Sequence, residues 1–390
     1  MNVNIIGTGL TAFGKFPDRS VTDLTNEALG DALADAGCDP SEVGFVAFGN
    51  AVSSVITGQA MIQGQLALAA TPLAGSMIIN VENACATSSS AVQTAVMAVR
   101  SGLTDVAVAI GVEKMAHPDK QRAFEALGAA LDVTVPVAEG STRASVFMSL
   151  YAAQAREYMA RSGAPAEAFA EAAAQAFANG ALNPKAQYRT PYTVEQILDA
   201  RVIADPLTLL MCSPVGDGAA VVVVANEAGT RRATGDPVRI LGGAVRSGRP
   251  GDGGDLVRLT ASAAYDRAGI TTNRVDVVEL HDAASSAKPI ILEELGFADH
   301  GTGWKRILNG DTALGGSLPV NPSGGLVSRG HPIGATGCAQ LVELADQLRG
   351  RARDRQVPNA RIAVAETLGG AIETEPYTAA ACAVTVLGAI

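Results

Sequence analysis

The stretch Ile78-Ile79-Asn80-Val81-Glu82-Asn83-Ala84-Cys85-Ala86-Thr87-Ser88-Ser89-Ser90-Ala91 runs a short apolar segment into a polar bend, and its small residues then open into the helix-period segment Ala91 to Arg100. Strand, bend and helix in immediate succession are the building unit of an α/β fold. Cys85 falls at the bend, where the first amide N–H groups of the helix are unpaired and point outward. Those amides favour negative charge, so the expectation is a thiol of depressed pKa with some thiolate character near neutrality. Ala84, Ala86 and Ser88 leave room for a group to approach the sulfur. The competing reading is a free cysteine that is merely a small buried apolar residue.

A second block decides between them. Asn321-Pro322-Ser323-Gly324-Gly325 leads to Ser328-Arg329-Gly330-His331-Pro332-Ile333-Gly334-Ala335-Thr336-Gly337. Pro332 suits the first turn of a helix, which leaves His331 at that helix's mouth. Gly324, Gly325 and Gly330 permit close approach and positive φ. A lone histidine there reads equally well as a cap or a core residue. A cysteine on one helix mouth and a histidine on its counterpart is the arrangement that nucleophilic acyl chemistry needs. The imidazole takes the thiol proton, and backbone amides beside both can hold an oxyanion.

Composition bounds the rest. The chain has 390 residues, 48% apolar and 17% charged, enough for large buried cores and against disorder. Aromatics are 4% and glycines number 42, so close backbone packing of small residues is expected. A formal charge of −10 offers no field for nucleic acid. No run of 18 apolar residues marks a membrane span, and Met1 to Phe13 lacks a signal-peptide pattern. The five cysteines are scattered with no CxxC pair, which argues for a cytosolic protein with neither a disulfide framework nor a metal site.

Strands are expected at Asn2 to Gly7, Val43 to Phe48, Asp105 to Gly111, Ala219 to Ala225, Val238 to Val245, Val275 to Leu280, Ala360 to Thr367 and Ala379 to Leu387. Helices are expected at Thr22 to Ala36 with Thr22 as cap and Gly37 as stop, Ile56 to Ala70, Leu256 to Ala268, Ala287 to Leu295 and Pro332 to Leu348. The order repeats, with Glu42-Val43-Gly44-Phe45-Val46 and Arg274-Val275-Asp276-Val277-Val278 in equivalent places, so two α/β halves related by a pseudo-twofold axis are inferred. The boundaries are 1–111 and 214–235 for the first half, 236–390 for the second, and 112–213 for an insertion with helices at Ser145 to Arg161 and Pro165 to Asn179. Glu373-Thr374-Glu375-Pro376-Tyr377 reads as a loop because proline is excluded from a central strand. Cys338 and Cys382 read as core residues, and His117 and His300 as surface residues.

These pieces resemble the thiolase superfamily, close to the sterol-carrier-protein-2-type thiolases and the bacterial lipid-transfer-protein thiolases. The likeness spans nearly the whole chain and rests on Asn83-Ala84-Cys85-Ala86, Gly111-Val112-Glu113-Lys114-Met115, Ala204-Asp205-Pro206-Leu207, Ser213 to Ala220, His281-Asp282 and the Asn321 to Gly337 block. It implies a duplicated five-layered αβαβα fold with an inserted helical lid, a homodimer, and a coenzyme A thioester as substrate with no permanently bound cofactor. It implies Cys85 as the acylated nucleophile, His331 as its base and His281 as an oxyanion-hole residue. The Gly369-Gly370 turn would share a second oxyanion hole with the Cys85 amide, and Gly330 and Gly334 would lie against the substrate.

The chain departs from that pattern in one respect. The family's second cysteine, which moves a proton, has Ala283 at one of its two usual places and Thr367 at the other. Neither does acid–base work near neutrality, which leaves His281 or His331 to double as carrier. The leading expectation is thiolytic cleavage of a 3-oxoacyl-CoA with free CoA, or its reverse condensation. The alternatives are an atypical acyltransferase or retro-aldolase beside a small OB-fold, zinc-ribbon subunit, and a non-catalytic acyl-CoA-binding subunit.

Overall fold

The all-apolar strands are buried on both faces, and their alternate residues meet different helices. A computed structural model describes residues 1–134, 146–251, 255–374 and 377–390. In chain order come β1 (Val3–Leu10), α1 (Val21–Ala36), β2 (Val43–Gly49), α2 (Ser53–Thr57), α3 (Gln63–Leu68), β3 (Met77–Val81), α4 (Thr87–Arg100) and β4 (Val106–Glu113). The next hundred residues hold α5 (Lys120–Gly128), α6 (Val146–Ser162), α7 (Ala166–Ala181), α8 (Val194–Leu198), β5 (Val202–Ala204) and β6 (Leu207–Thr208), before β7 (Gly218–Ala225). Then follow α9 (Glu227–Arg232), β8 (Val238–Ser247), α10 (Leu256–Ala268), β9 (Val277–Glu279), α11 (Ala287–Glu294) and α12 (Gly303–Leu308). The chain closes with α13 (Thr336–Leu348), β10 (Ile362–Thr374) and β11 (Tyr377–Ala389).

Nine strands form one sheet in the order β3-β2-β4-β7-β1-β8-β11-β10-β9. Its two halves mirror each other. In the first, β2 lies parallel between β3 and β4, and β7 pairs antiparallel with β4 and β1. In the second, β9 is parallel to β10 and also bridges in parallel to Val320, while β11 pairs antiparallel with β10 and β8. A 3₁₀ turn leads into each equivalent strand, Pro40–Glu42 before β2 and Thr272–Arg274 before β9. Within the sheet the halves join where Val3 to Ile5 pair with β8.

Three cores separate five layers. Val221 and Val223 of β7, with Val106, Val108 and Ile110 of β4, pack on α1. The intervening Val222, Val224, Ala107 and Ala109 face inward onto α4 and α13, which also receive Val277, Ala363 and Ala365 from the other half-sheet. The far faces, Val364, Val384 and Val386, pack on α10 and α11. A strand sandwiched between two helix layers needs apolar residues at every position, which is why these strands show no polar alternation. β5 and β6 form a separate small sheet, and α6 and α7 build their own core with Tyr158, Phe169 and Phe177.

Several expected boundaries shift. α1 is capped by Ser20, not Thr22: Ser20 Oγ accepts the Asp23 N–H at 3.1 Å while Asp23 Oδ2 accepts the Ser20 N–H at 2.8 Å. Gly37 stops it in the left-handed region as expected. Ile56 to Ala70 is two short helices, because Gly58 (φ 81°) and Ile62 (φ 51°) break the period. β9 is three residues long because the chain turns into the site immediately after Glu279. The expected loop at Glu373 to Tyr377 is largely strand: β10 runs on to Thr374 and β11 starts at Tyr377. Glu375, Pro376 and Ser145 lie outside the described residues. Among the described residues no helix is long and apolar enough to cross a membrane.

Candidate active site

The starts of α4 and α13 are pressed together in the central layer, and that contact brings the two motifs into one place. A Cβ on Gly337 would lie 2.0 Å from Ser89 Oγ and 2.5 Å from Ser89 N, so only glycine allows the approach. Ser88 Oγ accepts the Cys338 N–H at 3.0 Å across the same joint. Each helix is preceded by a matching 3₁₀ turn, Ala84–Ala86 and Ile333–Ala335. Ala84 sits at φ 47°, a left-handed bend that turns Cys85 out of the strand.

Cys85, His281 and His331 converge at the floor of a cavity of about 1150 Å³. The sulfur and one ring nitrogen of each histidine lie within 4.8 Å of one another, and the two rings meet edge to face with centroids 5.0 Å apart. His331 Nδ1 is 2.7 Å from Thr336 Oγ1, and that hydroxyl donates its hydrogen to the Pro332 carbonyl at 3.1 Å. With the hydroxyl hydrogen assigned to that carbonyl, Nδ1 carries the imidazole proton and Nε2 is left as a base. Burial, reinforced by His281 and Arg329, holds the His331 pKa well below the usual imidazole range, so the ring is neutral at pH 7. Burial likewise lowers His281 to about 4, and neither of its ring nitrogens has a hydrogen-bond partner.

The expectation of an acidic Cys85 thiol is overturned. Burial pushes it up to about 12 against the Gly370 N–H that points at it, with Glu113 adding repulsion. Helix-start amides are present, but the apolar surroundings of the half-buried sulfur outweigh them. Both directions favour a thiol beside a neutral imidazole at rest. The amide aimed at the sulfur belongs to Gly370, in the expected Gly369-Gly370 turn. Gly369 lines the cavity beside it and also serves packing. A Cβ there would lie 2.4 Å from Asn83 O and 2.9 Å from Ala86 N, so its bareness lets β10 press on the Cys85 turn. Gly330 and Gly334 do not line the cavity. Gly334 gives its N–H to Glu113 at 3.0 Å, and Gly330 (φ 109°) packs by Gln187 and Phe13.

The cavity roof comes from α5 and α6, including Phe147, Met148 and Tyr151, and its rim carries the exposed Lys15 and Arg201. His117, expected on the surface, lines this cavity and is half-buried; His300 is exposed. Tyr151, Tyr377 and Cys212 also line it, and none of the three stands in a motif that marks it in the sequence. Ala283 lies in the wall, whereas Thr367 is fully buried and shares a hydrogen bond with Ser89 Oγ. Cys338 and Cys382 sit in the central and outer cores as expected.

Comparison with known families settles the lineage. The thiolase N-terminal domain model matches residues 3–228, and a thiolase C-terminal domain-like model matches 255–379. The chain belongs to the thiolase family. It is similar to acetyl-CoA acetyltransferase of Methanothermobacter thermautotrophicus, 37% identical over 95% of this chain and 96% of that one. It is also similar to sterol carrier protein 2 of Bos taurus, at 34% identity over 96% of this chain and 72% of that one. Among solved structures it resembles the Ltp2-ChsH2(DUF35) aldolase, with a TM-score of 0.79 and 26% identity over 100% of this chain and 98% of that one.

In this thiolase the remaining motif residues act as splints. Glu113 accepts N–H bonds from Ala51, Val52 and Gly334, tying the turn after His331 to β4. Asp217 accepts from Phe16, Met115 and Ala116 and pairs with the buried Lys114 at 2.8 Å. Asn321 clamps Leu280 from both sides, with Oδ1 on its N–H at 2.7 Å and Nδ2 on its carbonyl at 3.2 Å, directly before His281. Ser323 and Arg329 both fasten onto Glu279 one residue earlier. Glu366 Oε2 accepts the His281 N–H at 3.0 Å. The His281 backbone is thus held before and behind, while its ring stays free.

Proposed function

We propose that this thiolase moves an acyl group through a Cys85 thioester, cleaving a 3-oxoacyl-CoA with free CoA or running the reverse condensation. It is an enzyme of the acyl-transferring kind, with a CoA thioester as substrate and no permanently bound cofactor. One observation carries the reading: a thiol and an imidazole of defined tautomer share a cavity floor with a backbone amide aimed at the sulfur.

His331 Nε2 takes the Cys85 proton as sulfur attacks the 3-oxo carbon. The N–H groups of Gly370 and Cys85 hold the oxyanion that forms. When the carbon–carbon bond breaks, the acyl group stays on sulfur and the leaving acetyl-CoA carbanion must gain a proton. Ala283 cannot give it, and Thr367 is occupied with Ser89, so His281 and His331 are left to pass on the proton taken from Cys85. His281 also faces the substrate carbonyl as the first oxyanion-hole group. Free CoA thiol, deprotonated by His331, then takes the acyl group and frees Cys85.

A second reading is a retro-aldolase or atypical acyltransferase with a small OB-fold, zinc-ribbon partner. It is favoured by the loss of the second cysteine and by the likeness to a solved complex titled as an aldolase with a DUF35 component. A non-catalytic subunit is disfavoured by the intact Cys85–His331 geometry. A homodimer is supported by β3, an edge strand with Met77 and Ile79 exposed and its outer backbone unpaired among the described residues. α5 and α6 would form the lid over the pantetheine arm, and the five unpaired cysteines support a reducing, cytosolic setting.

The test supplies a 3-oxoacyl-CoA with free CoA and follows the CoA products. Chain-shortened acyl-CoA and acetyl-CoA, both lost in Cys85→Ala, are expected. A 3-hydroxyacyl-CoA split into a carbonyl compound without consuming CoA would replace this reading by the retro-aldol one.

A further inference from the structure

The same floor has a second chemical identity, which sequence spacing hides because its members are residues 85, 281 and 331. One thiol and two imidazoles converge there with donor atoms within 4.8 Å of one another. His281 is 2% exposed, yet both its ring nitrogens lack a partner, which is a costly condition for a buried polar group. His331 has the arrangement of a metal-ligating histidine, with Nδ1–H held by an oxygen that is itself anchored and Nε2 left open.

We propose that Cys85, His281 and His331 form a binding site for one zinc ion, or a divalent metal of similar softness, that reversibly blocks the nucleophile. Sulfur and two imidazole nitrogens select zinc or cobalt over magnesium and calcium, which need oxygen ligands. Bond lengths of about 2.3 Å to sulfur and 2.0 Å to nitrogen put tetrahedral donors roughly 3.5 Å apart. From separations of up to 4.8 Å the set closes by about 1.3 Å at most on binding, within reach of small rotations of Cys85 and His281. The fourth position faces the cavity and is left for water. The bound form is the thiolate, so the Cys85 proton is released to solvent and the sulfur lone pair is committed to the metal. The blocking of turnover rests on the acyl-transfer reading above; the binding site does not.

The test is equilibrium dialysis of the chelator-stripped full chain against micromolar zinc chloride, with no acyl-CoA present. One zinc per chain is expected, weakened at least tenfold in Cys85→Ala and in His281→Gln. Cobalt(II) in place of zinc should give a thiolate-to-cobalt charge-transfer band that Cys85→Ala abolishes. Should that variant fail to fold, protection of wild-type Cys85 from iodoacetamide by zinc, read by peptide mass, serves instead. No stoichiometric binding, no protection, or a cobalt band that survives Cys85→Ala and disappears in Cys212→Ala would overturn the proposal. A chain that binds zinc at Cys85 but never forms an acyl-enzyme would sink the catalytic reading and leave the metal site standing.

Discussion

Thr336 Oγ1 stands 2.7 Å from His331 Nδ1 and passes its own hydrogen to the Pro332 carbonyl one turn back. The hydroxyl thereby fixes which nitrogen of the imidazole is basic, and the helix start that carries it also carries the contact with Ser89. Tautomer and position are set by the same few residues. Thr336→Val keeps the shape and removes the acceptor. Acylation of Cys85 should slow by on the order of 10-fold or more, since general-base catalysis contributes about 10²- to 10⁴-fold in all. The rate of acyl-enzyme formation in a rapid-quench experiment checks this, and an unchanged rate would mean the tautomer needs no such support.

Cys85 should be a sluggish thiol in the free enzyme. With its pKa raised to about 12, the thiolate fraction rises tenfold per pH unit across the accessible range. Alkylation by uncharged iodoacetamide should therefore climb steadily from pH 7 to 10 without levelling off. A plateau between pH 6 and 8 would reveal a thiolate–imidazolium pair in place of the neutral one.

Gly337 tests the joint between the two helix starts. Gly337→Ala sets a methyl 2.0 Å from Ser89 Oγ and 2.5 Å from Ser89 N. Overpacking of this kind costs about 1–3 kcal/mol. Denaturant unfolding should show it, and adding Ser89→Ala should not restore stability because the backbone nitrogen remains in the way.

Glu366 is fully buried, has one oxygen on the His281 N–H and leaves Oε1 without a partner. Burial raises its pKa to about 8, above the unfolded carboxyl value. The folded state then binds the extra proton between roughly pH 4.5 and 8, so this group's contribution to stability falls as pH rises through that window. Glu366→Gln removes the titration. The melting temperature of wild type relative to this variant should decline from pH 5 to pH 8, and a difference that stays flat would show the carboxyl to be ionised throughout.

Much of the fold is legible in the sequence, for physical reasons. β4 and β7 read as doubly buried because each residue meets one helix layer or the other, and Cys85 and His331 read as partners because both sit at helix starts marked by small residues. The rise in the thiol's pKa is not legible, because helix-start amides are visible in a sequence while burial is not. Gly330 and Gly334 read as substrate contacts because glycine-rich loops serve both ligands and tight packing, and only the surroundings separate the two. Tyr151, Tyr377 and Cys212 give no signal, since each reaches the cavity through tertiary packing. The Gly369-Gly370 turn is legible as a bend, and Gly370 takes φ 60° there.

The central claim is a covalent acyl group on Cys85. Intact-protein mass after brief incubation with acetyl-CoA and a panel of longer and aromatic acyl-CoAs, for wild type and Cys85→Ala, tests it most directly. The account predicts a mass gain of one acyl group in the wild type and none in the variant, with the strongest donor naming the acyl class. No gain with any donor, or a gain that persists in Cys85→Ala, would contradict it.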